Sequence, residues 1–427
     1  MVTDHALIIG TRNTGTELEH DIMLERDDRR RHMEIIGKTG TGKSSLLLNC
    51  MLADLEAGHG LAFLDPHGDI ASMMIDAMPP HRTNDVVYFN PADLDFPVGF
   101  NPLDGVAPDR RPLVAANLVA AFKHIWIDSW GPRLEHILLN SIRLLPDTED
   151  STLLGISRLL VDEPYRQRLL ASCSDPMVRV FWTRELPAWG DAFAAEALSP
   201  VQNKIGALLS PPVLRNIVGQ PKSTIDIATI MNKRRVFIAN LSKAALGEGP
   251  AHLVGALLAT AFAQTAESRA TIPEEKRVDF FFYADEFQNF ATDSFGTTLS
   301  EARKWRLSLI LAHQFLGQLS PRLREAIVGN VGSVVAFRLG ADDAETISRE
   351  LGIESPSALT DLSNHVAWVK LMCDGNPTDA MRIDIPLPEV KYKLRALPVV
   401  NRSRARYTRR RAQVEDRISR FLNPHYE

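Results

Sequence analysis

The chain has 427 residues, of which 45% are apolar and 24% charged, enough for two or three domains with proper cores and too apolar for global disorder. Its formal net charge of −5 singles out no partner, and three widely separated cysteines, Cys50, Cys173 and Cys373, imply neither a disulfide framework nor a metal site and fit a reducing cytoplasm. No stretch reaches the ~18 apolar residues of a membrane span, the longest candidate being Leu253–Ala263, and the N-terminus with Asp4, His5 and Arg12 does not read as a signal peptide.

In chain order, residues 1–31 form an opening segment. A strand is expected at Ala6–Gly10, a turn at Arg12–Thr16 and a charged stretch at Glu25–His32. Met33–Ile36 is a short apolar strand that runs into a glycine-rich loop. A helix follows, with Leu46, Leu47, Cys50, Met51 and Leu55 at helical spacing. Leu61–Asp65 and Val86–Phe89 read as buried strands, and residues 90–112 as a Pro/Gly/Asn-rich boundary loop.

Between about Pro112 and Pro212 no strand pattern appears. Leu134, Ile137, Leu138, Ser141, Ile142 and Leu145 share one helical face there, which predicts an inserted all-α domain over 112–212. Strand patterns return at Arg235–Leu241, Asp279–Ala284, Ser308–Ala312, Ser333–Phe337 and Val366–Leu371, with a long apolar helix over 251–266. Strands alternating with helices predict an α/β fold, a mostly parallel sheet covered on both faces, in two parts at 32–111 and 213–390. Residues 391–427 hold eleven Lys/Arg against three Asp/Glu. They read as a separately acting basic tail, with Arg402, Arg404, Arg406 and Arg409–Arg411 as candidate phosphate contacts and an amphipathic helix over 408–422.

Gly37-Lys38-Thr39-Gly40-Thr41-Gly42-Lys43-Ser44 is a phosphate loop. Its glycines let backbone N–H groups turn inward around phosphates, Lys43 supplies a point charge, and Ser44 supplies a hydroxyl for Mg2+. With Ser45 these residues form the expected nucleotide cradle at a helix N-terminus. The strand ending in Asp285-Glu286 adds a carboxylate for Mg2+, Asp285, and one to activate water, Glu286. The absence of an Asn/Thr-Lys-x-Asp guanine signature favours ATP. Gln314 follows the next strand, where a polar group can sense the outer phosphate. Arg303 is a candidate arginine finger in a neighbouring subunit, with Arg338 as the alternative. Arg29–Arg31 are either phosphate contacts or a solvated turn, and His67 and Asp69 either touch ligand or stabilise their turn.

Several segments together resemble the type IV secretion coupling ATPases of the TraD/TraG kind, within the HerA/FtsK superfamily of DNA-translocating ATPases. They are Arg29–His32 leading into the phosphate loop, Leu64–Asp69, Trp130–Glu135, Ala284–Gln288, Glu301–Lys304, Ala312–Gln314 and Gly329–Gly332. The resemblance implies a RecA-like core with an all-α insertion, ATP and Mg2+ at subunit interfaces, and a ring, usually hexameric, around single- or double-stranded DNA. It further implies Arg303 as the trans-acting arginine, Gln314 as the sensor, and relaxase or secretion-machinery partners. Coupling proteins usually carry N-terminal membrane helices, and this chain shows none. The expectation is therefore a cytoplasmic protein, either unattached or peripheral at the inner membrane through a partner. The alternatives are a nucleotide-gated adaptor for protein or nucleoprotein substrates, and a HerA-like motor in DNA repair or phage defence.

Overall fold

Strands buried on both faces of a sheet read as near-continuous apolar runs, and in the computed structural model the short apolar runs form such a sheet. The structure describes residues 6–13, 19–292 and 295–423. Its strands are β1 Leu7–Asn13, β2 Glu19–Leu24, β3 Met33–Ile36, β4 Gly60–Asp65, β5 Val86–Phe89, β6 Val236–Asn240, β7 Phe280–Ala284, β8 Leu307–His313, β9 Ser333–Ala336 and β10 Val366–Lys370. Beyond them come a two-stranded ribbon of β11 Met372–Cys373 and β12 Asn376–Pro377, and finally β13 Met381–Asp384.

The main sheet has eleven strands in the order β2-β1-β13-β10-β9-β3-β8-β7-β4-β6-β5. From β9 to β5 all neighbours are parallel. From β9 outward through β10, β13, β1 and β2 they are antiparallel. The mostly parallel α/β sheet expected from the sequence is present. Sequence patterning missed β2 and β13, whose mixed polar and apolar residues, Glu19-His20-Asp21-Ile22-Met23-Leu24 and Met381-Arg382-Ile383-Asp384, lack the continuous apolar run that marks the parallel strands. The expected turn at Arg12–Thr16 has its tip, Thr14-Gly15-Thr16, outside the described residues.

Alternation along β7 divides the two covering layers. Phe281 and Tyr283 join the cluster containing Leu46, Leu47 and Met51 from the helix Lys43–Glu56 that follows the phosphate loop. Phe280 and Phe282 lie on the other face and pack on Phe262, the first stacked and the second tilted. All these aromatic rings are buried. The helix after the loop and the strand of the acidic pair therefore share one core, which fixes their relative height.

Contacts divide the chain into two compact units. The first takes the chain up to Phe89, Ile227–Ser242 and Ala259–Ser403, and contains every strand found among the described residues. The second takes Asn90–Asp226, Lys243–Leu258 and the chain from Arg404 onward. Its described part is helical, including Arg111–Ile125, Pro132–Leu144 and Asp191–Leu209. The helical unit is thus wider than the 112–212 of the sequence reading. Buried Asn101 donates to Ser151 O at 2.8 Å and Pro221 O at 2.9 Å, which ties the boundary loop and the stretch after 212 to this unit.

The basic tail is not a free arm. It forms helices Ala396–Tyr407 and Arg411–Leu422, which bury Val399, Val414 and Ile418. Its arginines are largely spent on intramolecular acids and amides. Arg404 pairs with Asp93 at 2.6 Å, Arg411 with Glu415 at 2.8 Å and Arg417 with Asp150 at 2.9 Å, while Arg402 donates to Asn84 at 2.7 Å.

Candidate nucleotide-hydrolysis site

The parallel register brings the signature segments to one edge. Ile36 is level with His313 and Ala336, so the loop after β3 emerges beside Gln314. Leu64 is level with Ala284, so Asp65 and Asp285 are neighbours, and Ala284 is level with Leu311, which sets Glu286 beside the end of β8. This is the carboxyl edge, where open α/β sheets bind ligands.

The loop is braced on three sides. Gly37 N donates to His313 O at 3.3 Å, Lys38 N to Arg338 O at 3.0 Å, and His365 N to Thr41 O at 2.8 Å. The Thr41 hydroxyl, fully buried, donates to Lys38 O at 2.7 Å. Two glycines are dictated by the backbone: Gly40 has φ +76° and Gly42 φ +124°. A Cβ on Gly42 would also lie 2.8 Å from the Phe337 ring, so the cradle has no room for a side chain there. The Lys43 ammonium folds back over the loop and donates to Gly37 O at 2.5 Å and Lys38 O at 3.0 Å. Burial lowers its pKa, and the nearby Asp285 and Glu286 carboxylates oppose the shift.

Asp285 is held by burial, and secondly by Asp65, at a pKa raised to about 6, with Lys43 pulling the other way. Asp65 is itself fully buried and accepts from His67 N at 2.9 Å and Ala71 N at 2.8 Å, organising the turn into the helix Asp69–Asp76. Asp69 sits exposed in the first turn of that helix. The turn-stabilising part is thus played by Asp65, which sequence reading left without a role. Asp285, which lines one cavity with Lys43 and Ser44 and has the buried Asp65 carboxylate beside it, suits a divalent cation, because added positive charge relieves the repulsion between the two acids.

Glu286 carries the most constrained side chain of the edge. Its backbone is left-handed, with φ +43°, an unusual conformation for a residue with a Cβ and one that concentrates at functional sites. Gln314 Nε2 donates to its Oε1 at 2.7 Å, His67 Nε2 lies 3.0 Å from the same oxygen, and Asn289 Nδ2 donates to Oε2 at 3.0 Å. The carboxylate is thus aimed by three side chains while remaining 13% exposed. Residues Gly40, Lys43, Ser44, His67, Asp285, Glu286, Gln314 and His365 line one cavity of about 280 Å3. An adjoining cleft of about 880 Å3 shares Thr39 and Gln314 and is bordered by Phe315, Asp342 and Asp343.

From sequence His67 has two readings, touching ligand or stabilising its turn, and it lines this cavity beside Glu286; sequence reasoning missed His365 and Asn289. Their positions depend on strand order, although Asn289 stands three residues beyond Glu286 and His67 two beyond a strand end. The two candidate arginines are separated. Arg338 lies at the site edge, half-buried, and donates to Leu362 O at 3.1 Å and Asn364 Oδ1 at 3.0 Å. Arg303 is exposed in the turn Ala302–Trp305 before β8, at the opposite end of that strand from Gln314. Seven strand residues separate the two ends by roughly 20 Å, so Arg303 does not enter the site of its own chain.

The Arg29–Arg31 segment is neither a solvated turn nor part of this edge. Arg29, 5% exposed, makes a two-pronged ion pair with buried Asp54 at 2.7 and 2.8 Å and stacks its guanidinium 3.6 Å from the Phe281 ring centre. Tyr283 donates its hydroxyl to Asp54 at 2.5 Å, and His59 Nδ1 is 3.0 Å from it. Arg30 and Arg26 converge on Asp279 at 2.7 Å each. These pairs clamp the segment before β3 to β7 and to the helix Lys43–Glu56.

Comparison with known proteins agrees with this construction. Residues 279–368 match the family described as the TraM recognition site of TraD and TraG, a stretch that includes the acidic pair, the Arg303 turn and Gln314. A search of curated proteins finds no match. Among solved structures, the unbound bacterial conjugative coupling protein TrwBdeltaN70 superposes with a TM-score of 0.64 at 14% identity, covering 93% of this chain and 92% of that one. Plasmid coupling protein TrwB in complex with ADP and Mg2+ gives 0.65 at 14% identity over 88% and 90%. VirB4 of Thermoanaerobacter pseudethanolicus gives 0.58 at 13% identity over 91% and 98%. The likeness to the TraD/TraG kind of coupling protein, read first from the motifs, is matched by the family model and by the shared fold. Among the described residues, no helix is long and apolar enough to cross a membrane.

Proposed function

We propose that the chain is an ATP-hydrolysing, ring-forming motor that moves DNA in conjugative, type IV secretion-like transfer. The observation that carries the reading is Glu286, aimed by Gln314, His67 and Asn289 toward the cavity of the phosphate loop. A loop alone would bind a triphosphate; an oriented carboxylate beside it adds the means to hydrolyse one.

In this mechanism the backbone of residues 37–45 cradles the phosphates and Lys43 exchanges its loop carbonyls for the outer phosphate oxygens. Ser44 and Asp285 are the residues that would hold Mg2+, which would supply positive charge against that building on the phosphates. Glu286 accepts a proton from water as the water oxygen bonds to the γ-phosphorus and the bond to the β-phosphate oxygen breaks, leaving ADP and phosphate. Gln314 joins Glu286 to the outer phosphate and so links the occupied site to β8. Because Arg303 stands at the far end of its own sheet, it serves the site of the next subunit, which makes assembly a condition of turnover. Arg338, already engaged by its own chain, is the weaker finger candidate. Movement of pore loops that grip the DNA backbone follows the cycle, so little sequence preference is expected.

The matched family, described as a recognition site for a partner protein, favours a second reading: a nucleotide-gated adaptor. ATP turnover measured with and without single- and double-stranded DNA separates the two. Stimulation by either DNA supports the motor. No stimulation at any DNA length, with turnover instead responding to a relaxosome protein, supports the adaptor.

A further inference from the structure

His32 immediately precedes β3 and lies on none of the surfaces discussed for catalysis. It is 2% exposed and has φ +66°, a backbone state that a histidine rarely adopts without compensation. Both ring nitrogens are used, on two different elements. Nδ1 accepts the Leu309 N–H of β8 at 3.1 Å, which leaves Nε2 as the protonated nitrogen, and Nε2 donates to Leu299 O at 3.1 Å. Leu299 belongs to the helix Phe295–Glu301, whose end leads directly into the Arg303 turn. Burial holds the imidazole neutral, with a pKa lowered to about 4, and the Arg303 charge pushes in the same direction.

The ring therefore pins the approach to Arg303 onto the sheet. It does so from the end of a four-residue, fully buried strand whose other end leads into Gly37. His32 O and Arg31 O also accept the N–H groups of Ser333 and Gly332, at 3.3 and 2.6 Å, so this end of β3 is fixed to β9 as well. A contact that only filled space would need neither two oriented hydrogen bonds nor a strained backbone.

We propose that His32 is a positioning residue for Arg303: it sets the height and direction at which the arginine turn projects toward the neighbouring subunit's site, and it joins that turn to the strand carrying its own subunit's phosphate loop. The proposal rests on the trans-acting reading of Arg303. It explains why the basic segment before the phosphate loop ends in a histidine, which the nucleotide site itself does not require. One rigid strand then carries at one end the loop that grips a nucleotide and at the other the anchor of the group acting on the next.

The test uses His32→Asn, since asparagine tolerates the left-handed backbone but is too short to span both partners, with His32→Gln as the second variant should the first be unstable. Three quantities are measured on the full chain: binding of a fluorescent ATP analogue, ATP turnover, and turnover after equimolar mixing with Lys43→Ala subunits. The last supply a sound arginine turn but a dead phosphate loop. Expected are nucleotide binding close to wild type and turnover lowered about 10–100-fold, the range for a group displaced by roughly an ångström. Mixing restores activity, because about a quarter of randomly formed interfaces pair an intact loop with an intact turn. A folding defect would not be repaired by a partner that cannot bind nucleotide. Arg303→Ala mixed with Lys43→Ala is the reference. If that reference recovers and neither His32 variant does, or if a His32 variant turns over like wild type, the proposal is overturned while the trans arginine stands. If the reference fails to recover, the trans reading falls and the proposal with it.

Discussion

Replacing Asp65 with asparagine removes one of the two charges at the paired strand ends. Asp285 has a pKa raised to about 6, against 3.8 ordinarily, through burial first and the Asp65 charge second. In the folded protein without nucleotide, the proton is therefore held more tightly than in the unfolded chain between about pH 3.8 and 6. Asp285 consequently costs stability as pH rises through that window, on the order of a few kcal/mol above it. Asp65→Asn removes the like charge and leaves the burial, so the Asp285 pKa should fall below 6 without reaching 3.8. The amide also keeps only one of the two backbone N–H bonds now made to His67 and Ala71, which costs about 1–3 kcal/mol. The assay is the pH profile of kcat/KM for Mg-ATP, whose limbs report groups of the free enzyme. The acid limb should move to lower pH in Asp65→Asn while the thermal midpoint at neutral pH changes little, the two terms opposing one another. An acid limb that stays in place or moves upward would refute this account of the carboxylate pair.

Gln314→Ala should leave nucleotide affinity near wild type and lower kcat about 10–100-fold, since the bond lost, 2.7 Å to Glu286, orients a group that acts in the transition state; equilibrium binding and steady-state kinetics separate the two. Asp54→Ala should destabilise the protein by about 3–5 kcal/mol in chemical denaturation, because it strands the buried Arg29 guanidinium, and Arg29→Met with Asp54→Leu should lose less than that single change. Gly42→Ala should abolish binding of a fluorescent ATP analogue, since at φ +124° the added Cβ meets the buried Phe337 ring at 2.8 Å and the loop must deform to relieve the clash.

Legibility followed the range of the interactions. The phosphate loop and the acidic pair are local demands on backbone and charge, so residues 37–45 and 285–286 could be found from neighbouring letters alone. The parallel strands announced themselves through near-continuous apolar runs, broken at single positions such as Glu34 and Ser308, whereas β2 and β13, with as many polar residues as apolar, did not. Arg29 reads as a surface charge until Asp54, Phe281 and Tyr283 are brought around it by helix and sheet packing. The tail arginines look available for phosphate until Asp93 and Asp150, more than two hundred residues earlier, meet them. Asn289 and His365 required the strand order, because a residue beside a strand terminus means little until the neighbouring strand is known, and His67 needed the same order to choose between its two readings.

The central claim is that Glu286 is the carboxylate that activates water in a site otherwise complete for binding. Its most direct test is ATP turnover of Glu286→Gln, with binding of a fluorescent ATP analogue measured in parallel. The substitution keeps the shape and an oxygen that Gln314 can address, and removes only the capacity to take a proton. Turnover should fall at least about a hundredfold with binding retained. Turnover equal to that of the wild type would contradict the account.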